Sequence, residues 1–168
     1  MRIVWLGAAT ALALALQTTL GRFFGGNLIV DLVLVVVVYA ALSGGSVHGL
    51  LAGTLAGLVQ DAMATGVVGV GGLAKTVVGF LAGVVGTHFI VTQAPSRFVV
   101  FFVATLLHAT LFMGVHELLG LREFGFPYAT VLEQALANAL VGMIAFQAAE
   151  MLPSVVERRR LTRMRPKR

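Results

Sequence analysis

Residues 69–76, GVGGLAKT, come nearest to a recognisable binding motif, because they differ at one position from a nucleotide-binding loop. Such a loop has a glycine, four further residues and then Gly-Lys-Thr, and it follows a strand so that backbone N–H groups converge on phosphate. Here Ala74 replaces the second glycine, and its methyl group would crowd the approaching phosphate. The preceding residues continue an apolar helix. We therefore predict no nucleotide site and no bound cofactor.

Two other patterns begin like catalytic motifs and stop short. His116 and Glu117 start an HExxH zinc motif, but Gly120 stands where the second histidine is needed. Ser46 and His48 are two residues apart, so on a helix they point to different faces and form no nucleophile–base pair. The chain has no cysteine, which excludes thiolate chemistry. The sequence predicts no catalytic residue, no metal site and no enzyme activity.

The composition is that of an integral membrane protein. Of 168 residues, 58% are hydrophobic and 11% charged, against roughly 25% charged residues in soluble domains. The mean hydropathy is +0.96. Crossing a bilayer takes about 20 apolar residues. The predicted fold is an all-α six-helix transmembrane bundle within residues 1–156, with helices at about 3–20, 28–42, 47–62, 71–91, 98–119 and 128–152.

The last 12 residues, 157–168, form a basic segment with seven Lys/Arg and one acid, whereas the rest of the chain is near neutral. A basic segment directly after an apolar run is typical of a cytoplasmic tail that contacts anionic lipid headgroups. No aromatic residue is interleaved with its charges, so we predict no nucleic-acid binding. The arginines expected to contact lipid or a cytoplasmic partner are Arg158, Arg159, Arg160, Arg163 and Arg165.

The positive charges predict that both termini are cytoplasmic. This orientation leaves nine Lys/Arg inside and places only Arg22, Lys75 and Arg122 outside. An alternative is that the first run is a cleaved signal peptide, given Arg2 and the small residues at 11–13. Cleavage would leave five spans with the tail still inside.

Regularly spaced glycines predict close helix packing. Gly49, Gly53 and Gly57 are each four residues apart in the third run, and Gly79 and Gly83 repeat the spacing in the fourth. In lipid, helices associate through such small-residue faces, because their backbones can approach closely. We assign these glycines to helix packing or partner binding.

Four ionisable residues within apolar runs need polar surroundings. Asp61 follows the glycines on the same helix face, and we expect it to pair with Lys75 across the Gly-rich turn. The alternative is that both side chains extend into the headgroups. His88 and His108 are expected to face the bundle and donate or accept hydrogen bonds.

Asp31 lies near the start of the second run, where it either stabilises the positive end of the helix or makes a polar contact between helices. The last run carries Thr130, Gln134, Asn138 and Gly142 at four-residue steps. Such a stripe is typical of interhelical contacts and, less often, of a cavity wall.

The run from 27 to 83 resembles the core of the rod-shape-determining MreD family. The shared pattern is an Asp-Leu opening of an aliphatic span, a Gly-containing turn, a Gly-spaced helix ending in Asp, a Gly-rich loop and a second Gly-spaced helix. The matching positions are Asp31, Tyr39, Gly49, Gly53, Gly57, Asp61, Gly66, Gly69, Leu73, Gly79 and Gly83.

The resemblance implies a non-enzymatic component of the bacterial elongation machinery in the inner (cytoplasmic) membrane. Its implied partners are MreC, the MreB filament, the RodA glycosyltransferase with its penicillin-binding transpeptidase, and membrane lipids. It also implies a fold similar to the substrate-binding subunits of energy-coupling-factor vitamin transporters.

That fold similarity supplies a second hypothesis, a transporter substrate subunit. Its support is a set of small-residue steps in the first run, Ala9 to Ala13 and Ala11 to Ala15. Such a subunit needs an outward pocket rich in aromatic side chains, and Trp5 lies at the inner end. The outer turns offer Phe23, Phe24 and Phe124. The scaffold hypothesis is therefore preferred.

Overall fold

The computed structural model describes residues 2–23, 29–64, 67–89, 91, 93–121 and 128–163, with side chains for all of these except 2–6 and 152–163. All regular structure in these ranges is helical, as predicted. The helices are α1 (Arg2–Phe23), α2 (Leu32–Gly44), α3 (Ser46–Met63), α4 (Val70–His88), α5 (Ala94–Leu118) and α6 (Tyr128–Arg163). Each coincides with one of the six predicted runs, although α6 continues past 152 into the predicted basic tail.

The short helix α2 lies at the centre of the bundle and contacts all five others. Its sequence is apolar on every side, a pattern typical of a helix that is buried all round. The side chains of Leu34, Val35 and Val38 pack with Val78 of α4 and Phe101 of α5 in the main core. A second cluster joins α1 and α3 to Val33 and Val37 on another side of α2. The other five helices are thus arranged around α2.

The turn between α2 and α3 consists of Gly45 alone. Its φ of 89° is in the left-handed region that favours glycine, and its N–H donates to Ala41 O at 2.8 Å. One residue therefore ends α2 and begins α3, and the two helices form a tight helical hairpin.

Helices α3 and α4 approach so closely that their glycines leave no room for a methyl group. A Cβ added at Gly49 would collide with the backbone of Gly79, and one added at Gly53 would collide with the backbone of Lys75. At one end of the interface, Gly57 meets Gly72 in the same way. The contact is reinforced by a 2.9 Å hydrogen bond between the hydroxyls of Thr54 and Thr76. The glycine repeat therefore packs α3 against α4 within the chain.

Exposed aliphatic side chains cover much of the outer surface, as expected of a protein surrounded by lipid. Among the described residues, three stretches are long and apolar enough to cross a membrane, namely Val70–His88, Ala94–Leu118 and Tyr128–Met151. With 13 residues, α2 extends only about 20 Å, short of the roughly 30 Å hydrocarbon layer. The number of membrane crossings stays a prediction.

The glycine interface predicts a large cost for one added methyl group at Gly53. Gly53→Ala forces α3 and α4 apart, and we expect it to lower the free energy of unfolding by about 1–3 kcal/mol. Gly114→Ala is the matched control, since a Cβ on that α5 glycine has nothing within 4 Å. Thermal unfolding in detergent measures both variants, and equal midpoints would show that the helices are not in this close contact.

Candidate functional site

The start of α2 is buried, so its first N–H groups need partners other than water. Asp31 Oδ1 accepts the N–H of Leu34 at 3.0 Å, and Gln17 Oε1 of α1 accepts the N–H of Val33 at 3.2 Å. The N–H of Asp31 itself donates to Asn138 Oδ1 of α6 at 2.9 Å. Three side chains thus satisfy a helix end inside the bundle.

The other carboxylate oxygen of Asp31 forms an ion pair with Lys75 of α4. The distance from Lys75 Nζ to Asp31 Oδ2 is 2.8 Å, and the two side chains are 4% and 7% exposed. Lys75 Nζ also lies 3.1 Å from His108 Nε2 on α5. A charged lysine has only donors, so His108 accepts through Nε2 and is neutral with its proton on Nδ1.

Asn138 extends these contacts to the opposite side of the bundle. Its Nδ2 donates to Thr105 Oγ1 at 3.2 Å, and that hydroxyl donates to the carbonyl of Phe101 at 2.9 Å. Asn138 is fully buried. We call Asp31, Lys75, His108, Asn138 and Thr105 the buried polar network. It links α2, α4, α5 and α6.

The predicted pairing of Asp61 with Lys75 is wrong, because Lys75 contacts Asp31 instead. Asp61 Oδ2 accepts the N–H groups of Gly69 and Gly72, both at 2.9 Å. Gly69 precedes α4 and has no side chain to cap it, so Asp61 supplies the missing acceptor from α3. A carboxylate there is also attracted to the positive end of the α4 dipole.

The two predictions for Asp31 are both correct, since it caps α2 and joins two helices. The polar stripe on α6 is only partly used. Asn138 and Gly142 are buried, Gln134 is half-buried and Thr130 is exposed. A cavity wall along this stripe stays a prediction.

Of the two predicted bundle-facing histidines, only His108 is buried. His88 is exposed at the end of α4 and bonds to Val84 O at 2.9 Å. Gly66 lies outside the described residues, as do the side chains of the tail arginines Arg158, Arg159, Arg160, Arg163 and Arg165.

Sequence reasoning missed a second buried cation, Arg97 at the start of α5. Its guanidinium makes two hydrogen bonds to Glu150 of α6, at 2.8 and 2.6 Å, and lies 4.1 Å from the ring centroid of Phe146. Gln17 and Thr105 were missed as well. The available signal for Arg97 was a basic residue directly before the predicted helix 98–119, and it was counted only as a positive charge on the cytoplasmic side.

The buried polar network holds helices together and offers little else chemically. Its charges cancel, because Asp31 and Lys75 are opposite and His108 is neutral. Such a pair in a low-dielectric interior costs several kcal/mol if one partner is removed. Among the described residues, no three His, Asp or Glu side chains are close enough to hold a metal ion. The geometry supports a structural role.

Comparison with known proteins gives one family. A model of the rod shape-determining protein MreD family matches residues 2–152, nearly the whole chain. No curated protein and no solved structure matches. The predicted similarity to energy-coupling-factor subunits therefore stays a prediction.

The network predicts that losing one charge is worse than losing both. Lys75→Met leaves Asp31 buried without its cation and should lower the free energy of unfolding by about 3–5 kcal/mol. Adding Asp31→Asn, which keeps a helix-capping side chain, should recover at least half of that loss. Thermal unfolding of the single and double variants measures the coupling, and additive losses would contradict the ion pair.

Proposed function

The chain belongs to the MreD family of rod shape-determining proteins, and from this membership we propose that it is a non-enzymatic membrane scaffold of the elongation machinery. Its role in rod-shape determination follows from the family itself. The proposal adds that it acts in the cytoplasmic membrane by binding MreC, and with it MreB, RodA and the RodA-associated transpeptidase.

The observation that carries the proposal is the use of the polar residues. The ionised pair, the capping carboxylates and the buried amide are all engaged with helix ends or with other helices. A scaffold needs a bundle of fixed shape, and these contacts supply it. A substrate transported through this network would instead need its polar groups to face a cavity.

Partner helices must bind a surface other than the α3 glycines. Gly49, Gly53 and Gly57 are buried against α4, so that face is not open to a second protein. Docking therefore involves the exposed aliphatic surface of the bundle. The glycines were expected to pack helices or to bind a partner. In the proposed function they pack α3 against α4 and affect partner binding only indirectly, by fixing the position of α4.

The transporter alternative gains no specific support. The cavity between α1 and α3 measures about 500 Å³, and the described residues that line it include no aromatic side chain. Phe23 is exposed, and Phe24 and Phe124 lie outside the described residues. The scaffold remains the function that the geometry favours.

Rod shape in cells tests whether the network is structural or chemical. A scaffold predicts that Asp31→Asn/Lys75→Met, provided it folds, still restores rod shape and still co-purifies with MreC. Both readouts should stay within about twofold of the unmodified chain, because a structural pair can be replaced by uncharged groups.

Lys75→Met alone is the matched variant for this test and should fail in both assays through loss of the fold. A folded double variant that binds MreC but leaves cells round would contradict the proposal, since it would show that the charges themselves act. Loss of MreC binding by a folded double variant would equally count against it.

Asp61 supplies a second prediction in cells. Asp61→Ala leaves the N–H groups of Gly69 and Gly72 without their acceptor, so rod shape should be impaired. Glu117→Ala is the matched control, since Glu117 is exposed near the end of α5. Cell width and length measure the outcome, and equal effects of the two substitutions would overturn the assigned role.

A further inference from the structure

A polar cavity lies between the end of α1 and the end of α3, separate from the buried polar network. It measures about 500 Å³ and is lined by Gln17, Thr18, Thr19, Gly21, Arg22 and Met63. A second space of about 150 Å³ shares Gln17, Thr18 and Met63 and extends to Gln60. We call the two together the α1/α3 cavity. Its size is within the roughly 300–1,000 Å³ of small-ligand sites.

Gln60, which lines the smaller of the two spaces, has an unsatisfied acceptor. Its Oε1 is shielded from solvent and has no hydrogen-bond partner among the described residues. A buried polar atom without a partner costs about as much as a lost hydrogen bond, so native proteins rarely leave one. The site therefore needs a hydroxyl or another donor opposite Gln60.

Two other residues that line the cavity, Arg22 and Gln17, favour an anionic ligand. Among the described lining residues, Arg22 in the last turn of α1 carries the charge, and its guanidinium offers donors only. The amide oxygen of Gln17 is already used by the N–H of Val33, which leaves the two N–H donors of that amide for a ligand. One ligand that satisfies the cavity thus combines a phosphate or similar anion with a hydroxyl.

The surroundings favour a lipid as the source of these groups. Leu14 closes the cavity on the bundle side, and Val59, one turn before Met63 on α3, is 48% exposed. A polar recess at the end of two helices, bordered by exposed aliphatic side chains, matches the boundary between headgroups and acyl chains.

We propose that the α1/α3 cavity binds a phosphate ester that carries a free hydroxyl, as in the glycerol headgroup of an anionic phospholipid. The phosphate contacts Arg22 and the Gln17 amide, and the hydroxyl donates to Gln60 Oε1. The proposal does not depend on which protein the chain binds.

Native mass spectrometry of the purified full chain tests this with three lipids. Phosphatidylglycerol has both the phosphate and the alcohol hydroxyls, phosphatidic acid has the phosphate without an alcohol hydroxyl, and phosphatidylcholine has neither a net charge nor a hydrogen-bond donor in its headgroup. The expected order of retention is phosphatidylglycerol, then phosphatidic acid, then phosphatidylcholine, with about fivefold or more between the first two. Equal retention of all three would overturn the proposal.

Two substitutions separate the roles of the groups. Gln60→Leu should reduce phosphatidylglycerol retention to the level of phosphatidic acid, and Arg22→Gln should reduce both anionic lipids. Gln147→Leu is the matched control, because Gln147 is an exposed amide on α6. If Gln60→Leu behaves like Gln147→Leu, a water molecule is sufficient for Gln60 and the proposal fails.

Folding and the source of the ligand are checked in the same samples. Gln60→Leu removes an unsatisfied acceptor, so its unfolding midpoint should not fall below that of the unmodified chain. Titration with soluble glycerol 3-phosphate distinguishes a lipid headgroup from a soluble phosphate ester as the source of the ligand. Binding of that compound with no lipid retained would keep the ligand chemistry and assign it to a soluble molecule. A co-purified ligand without phosphate would overturn it and favour the transporter alternative.

Discussion

Helix α2 starts inside the bundle, and that buried start determines how the helices around it are arranged. A helix of 13 residues surrounded by five others brings the N–H groups of its first turn away from water. Asp31, Gln17 and Asn138 satisfy them from three different segments. The carboxylate that serves this purpose is itself a charge that needs a counterion, and Lys75 provides it. The N–H groups at the start of α2 are thereby connected to α1 and α6 directly, and through Lys75 to α4 and to His108 of α5.

The glycine interface and the ion pair depend on each other. Gly53 lies against the backbone of Lys75, so the close approach of α3 fixes where the lysine leaves α4. At the end of the same interface, Asp61 accepts two N–H groups at the start of α4 and holds its first turn. Backbone contact in lipid has to be close to be favourable, because there is no hydrophobic drive between helices. The family match over residues 2–152 includes both features. A rigid bundle of this kind is consistent with the proposed scaffold role.

The sequence was sufficient to predict the helices, but it was not sufficient to predict which residues contact the buried charged side chains. Runs of apolar residues, Gly-rich turns and glycine spacing predicted six helices and the packing of α3 and α4, because these signals are local. Asp61 was paired with Lys75 because a Gly-rich turn separates the two in sequence, and Asp31 was not considered as the partner. The actual choice depends on the position of α2 between α4 and α6, which no local pattern encodes. Gln17 and Thr105 were missed for the same reason, since a single polar residue in an apolar helix does not indicate its partner.

The distance between Lys75 Nζ and the Asp31 carboxyl carbon, measured by solid-state NMR in lipid bilayers, tests the central claim most directly. The chain has two lysines, at 75 and 167, and two aspartates, at 31 and 61. Lysine labelled with ¹⁵N at Nζ only and aspartate labelled with ¹³C at Cγ only, in the Lys167→Arg variant, therefore leave one labelled nitrogen and two labelled carboxyl carbons. The ion pair predicts strong dipolar coupling to Asp31, with a distance of about 4 Å or less, and none to Asp61. Coupling to Asp61, or to neither carboxyl, would contradict the account.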